Sequence, residues 1–379
     1  NDIRLYWSYH FGSNMELIKL YGKKEGNFFM TSMMSEAEKA KQLRKEVQPF
    51  AKSDTRASIV QMINTIVPLL AAWIIGYYVV QFSPWYGLIA ALIAAGFVVR
   101  TFIIFHDCTH GSFFKNKKAN DTVGFITGVL TSFPYEKWKR EHTIHHATSS
   151  NIDKKGIGDI DMLTIEEYME KSKMGRLGYR LYRNPLVMFG LGPLFMVLVL
   201  NRFNRKDAKK KERMNTYLIN VVVAALTVLM IVAFGWQSFL LIHGVTLFVA
   251  GALGIWLFFI QHTYEDSYFE YDSEWDYVKA AVEGSSYYKL PKVLQWITGN
   301  IGFHHVHHLS PRIPNYKLEE AHETVTPLQQ ATTITLGTSF ESIRYKLYDH
   351  EQMKFVTFKE AEEIMKQIEQ GKRARKTAA

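Results

Sequence analysis

Long runs without a charged residue constrain this fold more than any other feature of the sequence. Residues 59–81 and 214–264 contain no Lys, Arg, Asp or Glu, and residues 85–105 contain only Arg100. A helix that crosses a hydrocarbon core of about 30 Å needs roughly 20 apolar residues, because each residue advances it by about 1.5 Å. The last run is twice that length and is expected to turn near Gly235. The sequence therefore predicts four transmembrane helices in two hairpins, at about 59–81, 85–105, 214–235 and 238–262.

The distribution of basic residues predicts how these helices are oriented. Residues 39–56 carry six Lys or Arg and residues 201–213 carry seven, whereas the turns at 82–84 and 235–237 carry no charge. Basic loops stay on the cytoplasmic side of a membrane. Both termini are therefore expected in the cytoplasm. The fold class is an all-α integral membrane protein whose cytoplasmic helical cap consists of residues 106–213 and 263–379.

Composition narrows the partners and the kinds of site. The net charge of +9 fits a basic rim beside anionic lipid headgroups, so it does not require nucleic acid as a partner. The same face could also dock an acidic soluble protein. Cys108 is the only cysteine, which excludes a disulfide framework and a cysteine-based metal site.

The domain organisation follows from the spans. Residues 34–379 are expected to form a single membrane domain, within which the apolar runs 122–134 and 186–200 are too short to cross and suit interfacial or re-entrant segments. The chain begins at Asn1, and residues 1–33 lack the apolar core of a signal peptide. We expect those residues to be a non-native or disordered extension.

Nine of the 14 histidines lie in three five-residue patches beside apolar sequence. The patches read HDCTH at 106–110, HTIHH at 142–146 and HHVHH at 304–308. Residues three and four apart share one face of a helix, so each patch presents several imidazoles in one direction. The predicted ligand pairs and triplets are His106 with His110, His142 with His145 and His146, and His304 with His307 and His308.

These patches predict two metal ions in one site. A single metal takes three or four protein ligands, so eight imidazoles suit two metals. One patch alone would be read as a surface cluster of helix-terminal histidines, but three patches with matched spacing, all on the predicted cytoplasmic side, favour a common site. His262 closes the fourth span and is a predicted ninth ligand. His305 lies on a different helical face and is expected to support a ligand, unless the backbone there is not helical.

The ligand type favours iron. Magnesium and calcium prefer oxygen ligands, whereas imidazole suits iron and zinc. Zinc is the alternative, but the HExxH pairing of zinc hydrolases is absent. Two redox-active irons can activate dioxygen to attack an unactivated C–H bond, which explains a site at the ends of lipid-facing helices.

In order and spacing, the three patches resemble the histidine boxes of membrane fatty-acid desaturases, HxxxH, HxxHH and HxxHH. The flanking segments FHDCTHGSFF, QHTYEDSYF and GNIGFHHVHHLSPRIPNY are similar to those of acyl-lipid desaturases from Gram-positive bacteria, and closest to the Δ5-type phospholipid desaturase. The similarity extends from about Met34 to about residue 350.

This resemblance implies an oxygen-dependent oxidoreductase of the bacterial cell membrane. It would introduce a cis double bond, with Δ5 as the expected position, into saturated acyl chains of membrane phospholipids, for unsaturated fatty acid biosynthesis and adjustment of membrane fluidity. Asp107 is expected to orient a ligand, and Gln261 and Asn300 are weaker candidates. Carried over residue by residue, the ligands of the two irons would be His106, His110, His142, His145, His146, His262, His304, His307 and His308.

Electrons are expected from a separate protein. The chain has neither the HPGG motif of a fused haem domain nor a GxGxxG segment after a predicted strand. Bacterial members of the family use ferredoxin or flavodoxin, and such acidic donors would suit the basic face. Lys209, Lys210 and Lys211 are the predicted docking residues.

The acyl chain is expected to enter sideways between the spans. A bent channel would lead to the irons, and its predicted lining residues are Phe102, Phe105, Trp256, Phe258 and Phe259.

Two other functions compete with desaturation. A hydroxylase or ketolase of the same superfamily would use the same iron pair, and histidine spacing does not separate it from a desaturase. A membrane metal transporter would instead carry ionisable ligands near the bilayer midplane. The patches lie outside the predicted spans, which disfavours transport.

Overall fold

Helices dominate the computed structural model, which describes residues 35–378 and their side chains as far as residue 371. The described residues fall into two units, residues 35–46 and residues 47–378. The expectation for residues 1–33 lies outside the described residues.

The helices are numbered along the described chain, and a π turn lies within one of them and another just before α8. The fourth long helix contains a π turn at Leu240–Gly244. The second π turn, at Val187–Leu191, leads into α8. The helices are α1 (Glu36–Val47), α2 (Thr55–Val79), α3 (Pro84–His110), α4 (Lys117–Thr131), α5 (Tyr135–Thr148), α6 (Ile165–Glu170), α7 (Lys173–Tyr182), α8 (Gly192–Leu198), α9 (Lys210–Phe234), α10 (Trp236–His262), α11 (Tyr277–Val282), α12 (Lys292–Ile297), α13 (His304–Leu309), α14 (Leu318–Thr324) and α15 (Phe358–Ala378). Short 3-10 helices lie at Gln48–Phe50, Ile152–Lys154, Leu200–Arg202, Asn315–Lys317, Thr326–Gln330 and Thr338–Arg344.

Four of these helices, α2, α3, α9 and α10, are long and apolar enough to cross a membrane. This confirms the four predicted spans, and their bounds differ from the predicted ones by a few residues. The turn between α9 and α10 is a single residue, Gly235, with a φ of +82°. Only glycine adopts such a backbone angle without strain, so the chain reverses there at once.

Arg100, the charged residue within the second span, is buried between helices. Its Nε donates to Thr65 Oγ1 of α2 at 3.0 Å, and a guanidinium nitrogen donates to the Trp296 carbonyl of α12. The guanidinium carbon also lies 3.9 Å from the centre of the Trp296 ring. An arginine at the bilayer centre costs about 2.5–3.5 kcal/mol, so these partners hold Arg100 away from lipid.

The two shorter apolar runs form bent or short helices. Residues 122–134 lie mostly in α4, which has 15 residues. The run at 186–200 follows α7 after a 63° bend, the geometry of a broken span or a re-entrant loop. The short length of α4 agrees with the prediction for 122–134, whereas the re-entrant role of 186–200 stays a prediction.

Five short strands lie in the cap and are the departure from a purely helical fold. They are β1 (Leu163–Thr164), β2 (Tyr287–Lys289), β3 (Thr333–Thr335), β4 (Leu347–Asp349) and β5 (Lys354–Val356). β4 pairs with β1 in parallel and with β5 antiparallel, and β2 pairs with β3 in parallel. The β1–β4 pairing joins the middle of the cap to its carboxyl-terminal part, a contact between distant segments that local periodicity does not predict.

Candidate metal centre

The nine predicted histidines lie together in two adjacent groups. In each group, one nitrogen from every ring lies within 4.8 Å of the corresponding nitrogen of the others, close enough to hold a metal ion. The five-histidine group contains His106, His110, His142, His146 and His307, and the four-histidine group contains His145, His262, His304 and His308. The sequence predicted the set but left open which residues share a metal.

Helix geometry explains how the residues divide. His142 and His146 are four apart on α5 and face the same group, whereas His145 lies about 100° round the helix from His146 and faces the other. On α13, His304 and His308 likewise share one group, and His307 joins the other. Because both helices supply both groups, the groups must lie side by side.

The first patch reaches the site because α3 continues beyond the predicted end of its span. His106 and His110 occupy its last two turns, and Gly111 caps the helix with a φ of +65°. A left-handed glycine at this position ends a helix and lets the chain turn away. The carboxyl end of the second span therefore carries both rings directly to the five-histidine group.

The ring nitrogens are spaced as a metal would need them. With metal–nitrogen bonds of about 2.1 Å, neighbouring ligands of an octahedral site lie about 3.0 Å apart. The Nε2 to Nε2 distances are 3.0 Å for His142 and His146, 2.9 Å for His146 and His307, 3.2 Å for His145 and His308, and 2.9 Å for His262 and His304.

Hydrogen-bond acceptors outside the two groups determine which nitrogen carries the proton in three of the rings. His106 Nδ1 lies 3.1 Å from Asp107 Oδ1, His145 Nδ1 contacts Asp159 Oδ1, and His262 Nδ1 lies 3.0 Å from the Gly284 carbonyl. Since these oxygens accept hydrogen bonds, each Nδ1 carries the proton and each Nε2 keeps a free lone pair. That is the tautomer that binds metal through Nε2.

Two further atoms indicate a missing positive partner. The Nε2 atoms of His106 and His110 are buried and have no hydrogen-bond partner among the described residues. A buried polar atom left unpaired costs about 1–3 kcal/mol. A metal ion at the centre of the five-histidine group would satisfy both, so the residues fit the metal that the sequence predicts.

Burial keeps five histidines of the cap neutral. Desolvation, followed by repulsion from neighbouring histidines, holds the pKa of five rings well below the usual value of 6.5. A neutral imidazole can donate its lone pair to a metal at physiological pH. These rings are His142, His146, His304, His307 and His308.

Asp107 makes the contact that was predicted for it, and Asp159 is the partner that sequence reasoning missed. Asp107 Oδ2 is itself held by the backbone N–H and side-chain Nδ2 of Asn315, at 2.7 and 2.8 Å. Gln261 donates to the Ile301 carbonyl instead of to a ligand. Asn300 likewise donates to the Asn315 carbonyl. Asp159 follows His145 by 14 residues with no recognisable spacing, so only the tertiary contact identifies it.

His305 lies outside both groups. It is buried on helical backbone, and its Nε2 lies 3.0 Å from Nδ1 of His322, which is not one of the nine predicted ligands. His243 of α10 contacts the Tyr77 hydroxyl at 2.8 Å and stacks on Trp73.

A largely apolar cavity of about 710 Å³ reaches both groups. His106 and His142 of the five-histidine group line it, and so does His304 of the four-histidine group. Phe102 and Phe258 line the cavity as predicted. Phe105, Trp256 and Phe259 are not among its lining residues, because Phe105 and Phe259 are buried in helix contacts and Trp256 packs on Phe340. The arrangement can present a long apolar chain to a pair of metals.

Comparison with known proteins agrees with this geometry. The sequence profile named fatty acid desaturase matches residues 83–338. A fatty acid desaturase of Bacillus subtilis (strain 168) is 55% identical over 328 residues, covering 86% of this chain and 93% of that protein. A chloroplastic omega-6 fatty acid desaturase of Arabidopsis thaliana is 27% identical over 69% of this chain and 58% of its own length. An sn-1 oleoyl-lipid 12-desaturase of Synechocystis is 27% identical over 68% of this chain and 74% of its own length.

Fold, metal-binding geometry and sequence similarity agree over most of the chain. The profile match spans the last three membrane helices and all three histidine patches. The protein is an integral membrane oxidoreductase, and it belongs to the fatty acid desaturase family.

Proposed function

We propose that this desaturase introduces a cis double bond, at Δ5, into saturated acyl chains that remain esterified in phospholipids of the bacterial cell membrane. Its role is unsaturated fatty acid biosynthesis and the adjustment of membrane fluidity, and residues 34–379 form the enzyme domain. The observation that carries the proposal is the apolar cavity, since one space lined by α3 and α10 touches histidines of both groups.

Two iron ions are the proposed metals, each bound by one histidine group. Imidazole ligands without carboxylates favour a redox metal over magnesium or calcium. Bound iron would supply the activation of dioxygen. The reaction then balances as one CH2–CH2 unit, one O2, two electrons and two protons giving one CH=CH unit and two water molecules.

The protein's own contribution is orientation and exclusion of water. Asp107, Asp159 and the Gly284 carbonyl hold the Nδ1 protons of three ligands and so fix the direction of their Nε2 atoms. The apolar walls keep the acyl chain dry and set how far it enters, which decides the methylenes that reach the metals.

Polar residues of the cavity support a substrate with a phosphate headgroup. Lys137, Asn201, Asn204 and Arg205 line the same cavity and lie outside the four long apolar helices, and Lys137 also pairs with Glu141 of the lining. Cations and amides of this kind bind phosphate oxygens. A relative whose name specifies an oleoyl-lipid substrate also supports lipid-linked acyl chains, although its name gives position 12.

The proposed orientation places the histidine groups and the cap in the cytoplasm. The basic segments before α2 and before α9 support it through the positive-inside rule. Two electrons per double bond would then come from a cytoplasmic ferredoxin or flavodoxin.

Expression in a bacterial host that lacks unsaturated lipids tests the reaction. New double bonds are expected in intact phospholipids, only in the presence of dioxygen, and ozonolysis with mass spectrometry gives their position. Hydroxylated or keto acyl chains as the main product would contradict desaturation, and a bond elsewhere than Δ5 would correct the position alone.

Asp107→Asn tests how the five-histidine group is held. The amide cannot accept as strongly from His106, and the two Asn315 donors lose a charged acceptor. We expect the affinity of this group for iron to fall about 10–100-fold, measured by competition with a chelator. Asp121→Asn is the matched control, because Asp121 pairs with Lys139 and touches no histidine ligand. Unchanged iron retention in Asp107→Asn would show that this carboxylate does not position His106.

A further inference from the structure

A second large opening, the basic cleft, lies where α2 begins and α3 ends. Its volume is about 660 Å³, and the loop after α13 completes it. Its charged lining residues are Lys52, Asp54, Arg56, Lys115, Arg312 and Lys317. The cleft shares no lining residue with the apolar cavity, so a partner bound here would leave the acyl chain in place.

The basic cleft carries strong uncompensated positive charge. It has five cationic side chains against one carboxylate, and none of the five makes an ion pair with the residues that the structure describes. Asp54 is already engaged as the N-cap of α2, where it accepts from the Arg56 and Ala57 backbone N–H groups. Five cations held together with only one carboxylate leave an excess of positive charge, which attracts an acidic partner at long range.

The face predicted from the sequence is better neutralised. Lys211 pairs with Glu136 at 2.6 Å, and Arg205 lies 3.6 Å from Asp207. Arg140 of α5 adds a positive charge there but pairs with both Asp207 and Glu212. Local acids therefore offset part of the charge around Lys209, Lys210 and Lys211.

Two short routes join the basic cleft to the five-histidine group. Gly111 and Ser112 line the cleft and directly follow His110 in the chain. Asn315 lies between the cleft residues Arg312 and Lys317, and it donates to Asp107, whose other oxygen contacts His106. The cleft thus connects to the metal site by covalent bonds and by hydrogen bonds.

We propose that the basic cleft docks an acidic protein that carries single electrons, and that electrons reach the metals through the five-histidine group. This inference rests on the proposed function, which requires an external donor. In each docking event the reduced carrier loses one electron and the metal centre gains one, so two events supply the two electrons of one double bond. Five cations grouped over a wide opening suit the several carboxylates of a protein surface, whereas one lipid phosphate would engage only one or two.

Charge reversal tests this docking surface. The variant Lys115→Glu/Lys317→Glu and the charge-matched variant Lys209→Glu/Lys210→Glu are each loaded with iron in phosphatidylcholine nanodiscs. Stopped-flow spectroscopy follows the oxidation of a reduced acidic [2Fe–2S] ferredoxin over a range of salt concentrations. We expect the rate constant to fall about tenfold or more at low salt in the cleft variant only, with a flatter salt dependence. Reduced methyl viologen, a small cation, should reduce the iron of the unmodified protein and of both variants equally fast.

The outcomes separate the alternatives. An unchanged ferredoxin rate in the cleft variant, or a loss confined to Lys209→Glu/Lys210→Glu, would overturn the proposal in favour of another face. A loss that requires anionic phosphatidylglycerol in the nanodisc would make the cleft a lipid site and overturn it as well. Because iron reduction is read without substrate conversion, failure to form double bonds with either reductant would count against the proposed function and not against docking.

Discussion

His307→Ala and His308→Ala, substitutions at adjacent positions, are expected to remove different metals. His307 belongs to the five-histidine group and His308 to the four-histidine group. Each variant should retain about half of the bound iron, because removing one imidazole weakens the binding of one metal and leaves the ligands of the other group intact. Desaturation should be abolished in both, since oxidation at adjacent carbons is proposed to need both metals. Iron content per chain and Mössbauer spectra of the remaining iron distinguish the two variants.

A histidine outside both groups provides the control for this pair of variants. His350→Gln removes a partly exposed imidazole that pairs with Glu270, outside both groups, and should keep full iron and activity. If His307→Ala and His308→Ala lost the same iron signal, the division into two groups would be wrong. Retention of activity in either variant would remove that residue from the ligand set.

Gly254→Leu is expected to block the acyl chain while leaving the fold and the metals in place. Gly254 lines the apolar cavity, and a Cβ added there meets no atom within 4 Å, so a larger side chain projects into open space. By contrast, a Cβ on Gly251 would lie 3.0 Å from Pro193, where close helix packing needs glycine. Excess volume in a filled apolar site costs about 1–3 kcal/mol, equivalent to a roughly five- to 150-fold loss of binding for long chains.

Products from lipids with acyl chains of graded length measure this effect. Long chains should be lost from the product first, and shorter chains should remain substrates. Leu253→Trp is the matched control, because Leu253 is 44% exposed on the outer face of the same helix and extra bulk there faces lipid. Equal loss for all chain lengths, or equal loss in both variants, would show that the cavity does not hold the acyl chain.

Several parts of this structure follow from the sequence because they depend on local spacing. The length of an uncharged run, measured against the bilayer, predicted α2, α3, α9 and α10. The i, i+3 and i+4 spacing of histidines predicted which rings are able to bind metal. His262 followed from its position at the end of a span. The contact between Asp107 and His106 was also predictable, because the two residues are adjacent in the chain.

The tertiary structure decided everything that joins distant segments. The 14-residue separation of His145 and Asp159, and the 208-residue separation of Asp107 and Asn315, carry no periodic signal. The short strands, the cavity lining and the charge of the basic cleft have the same origin, because each is formed by elements that meet only after folding. The sequence by itself determined the membrane helices and the nine candidate ligand rings, since helical pitch and bilayer thickness act on neighbouring residues. The division of these rings into two groups was decided only by the packing of α3, α5, α10 and α13, which sets where each helix face points.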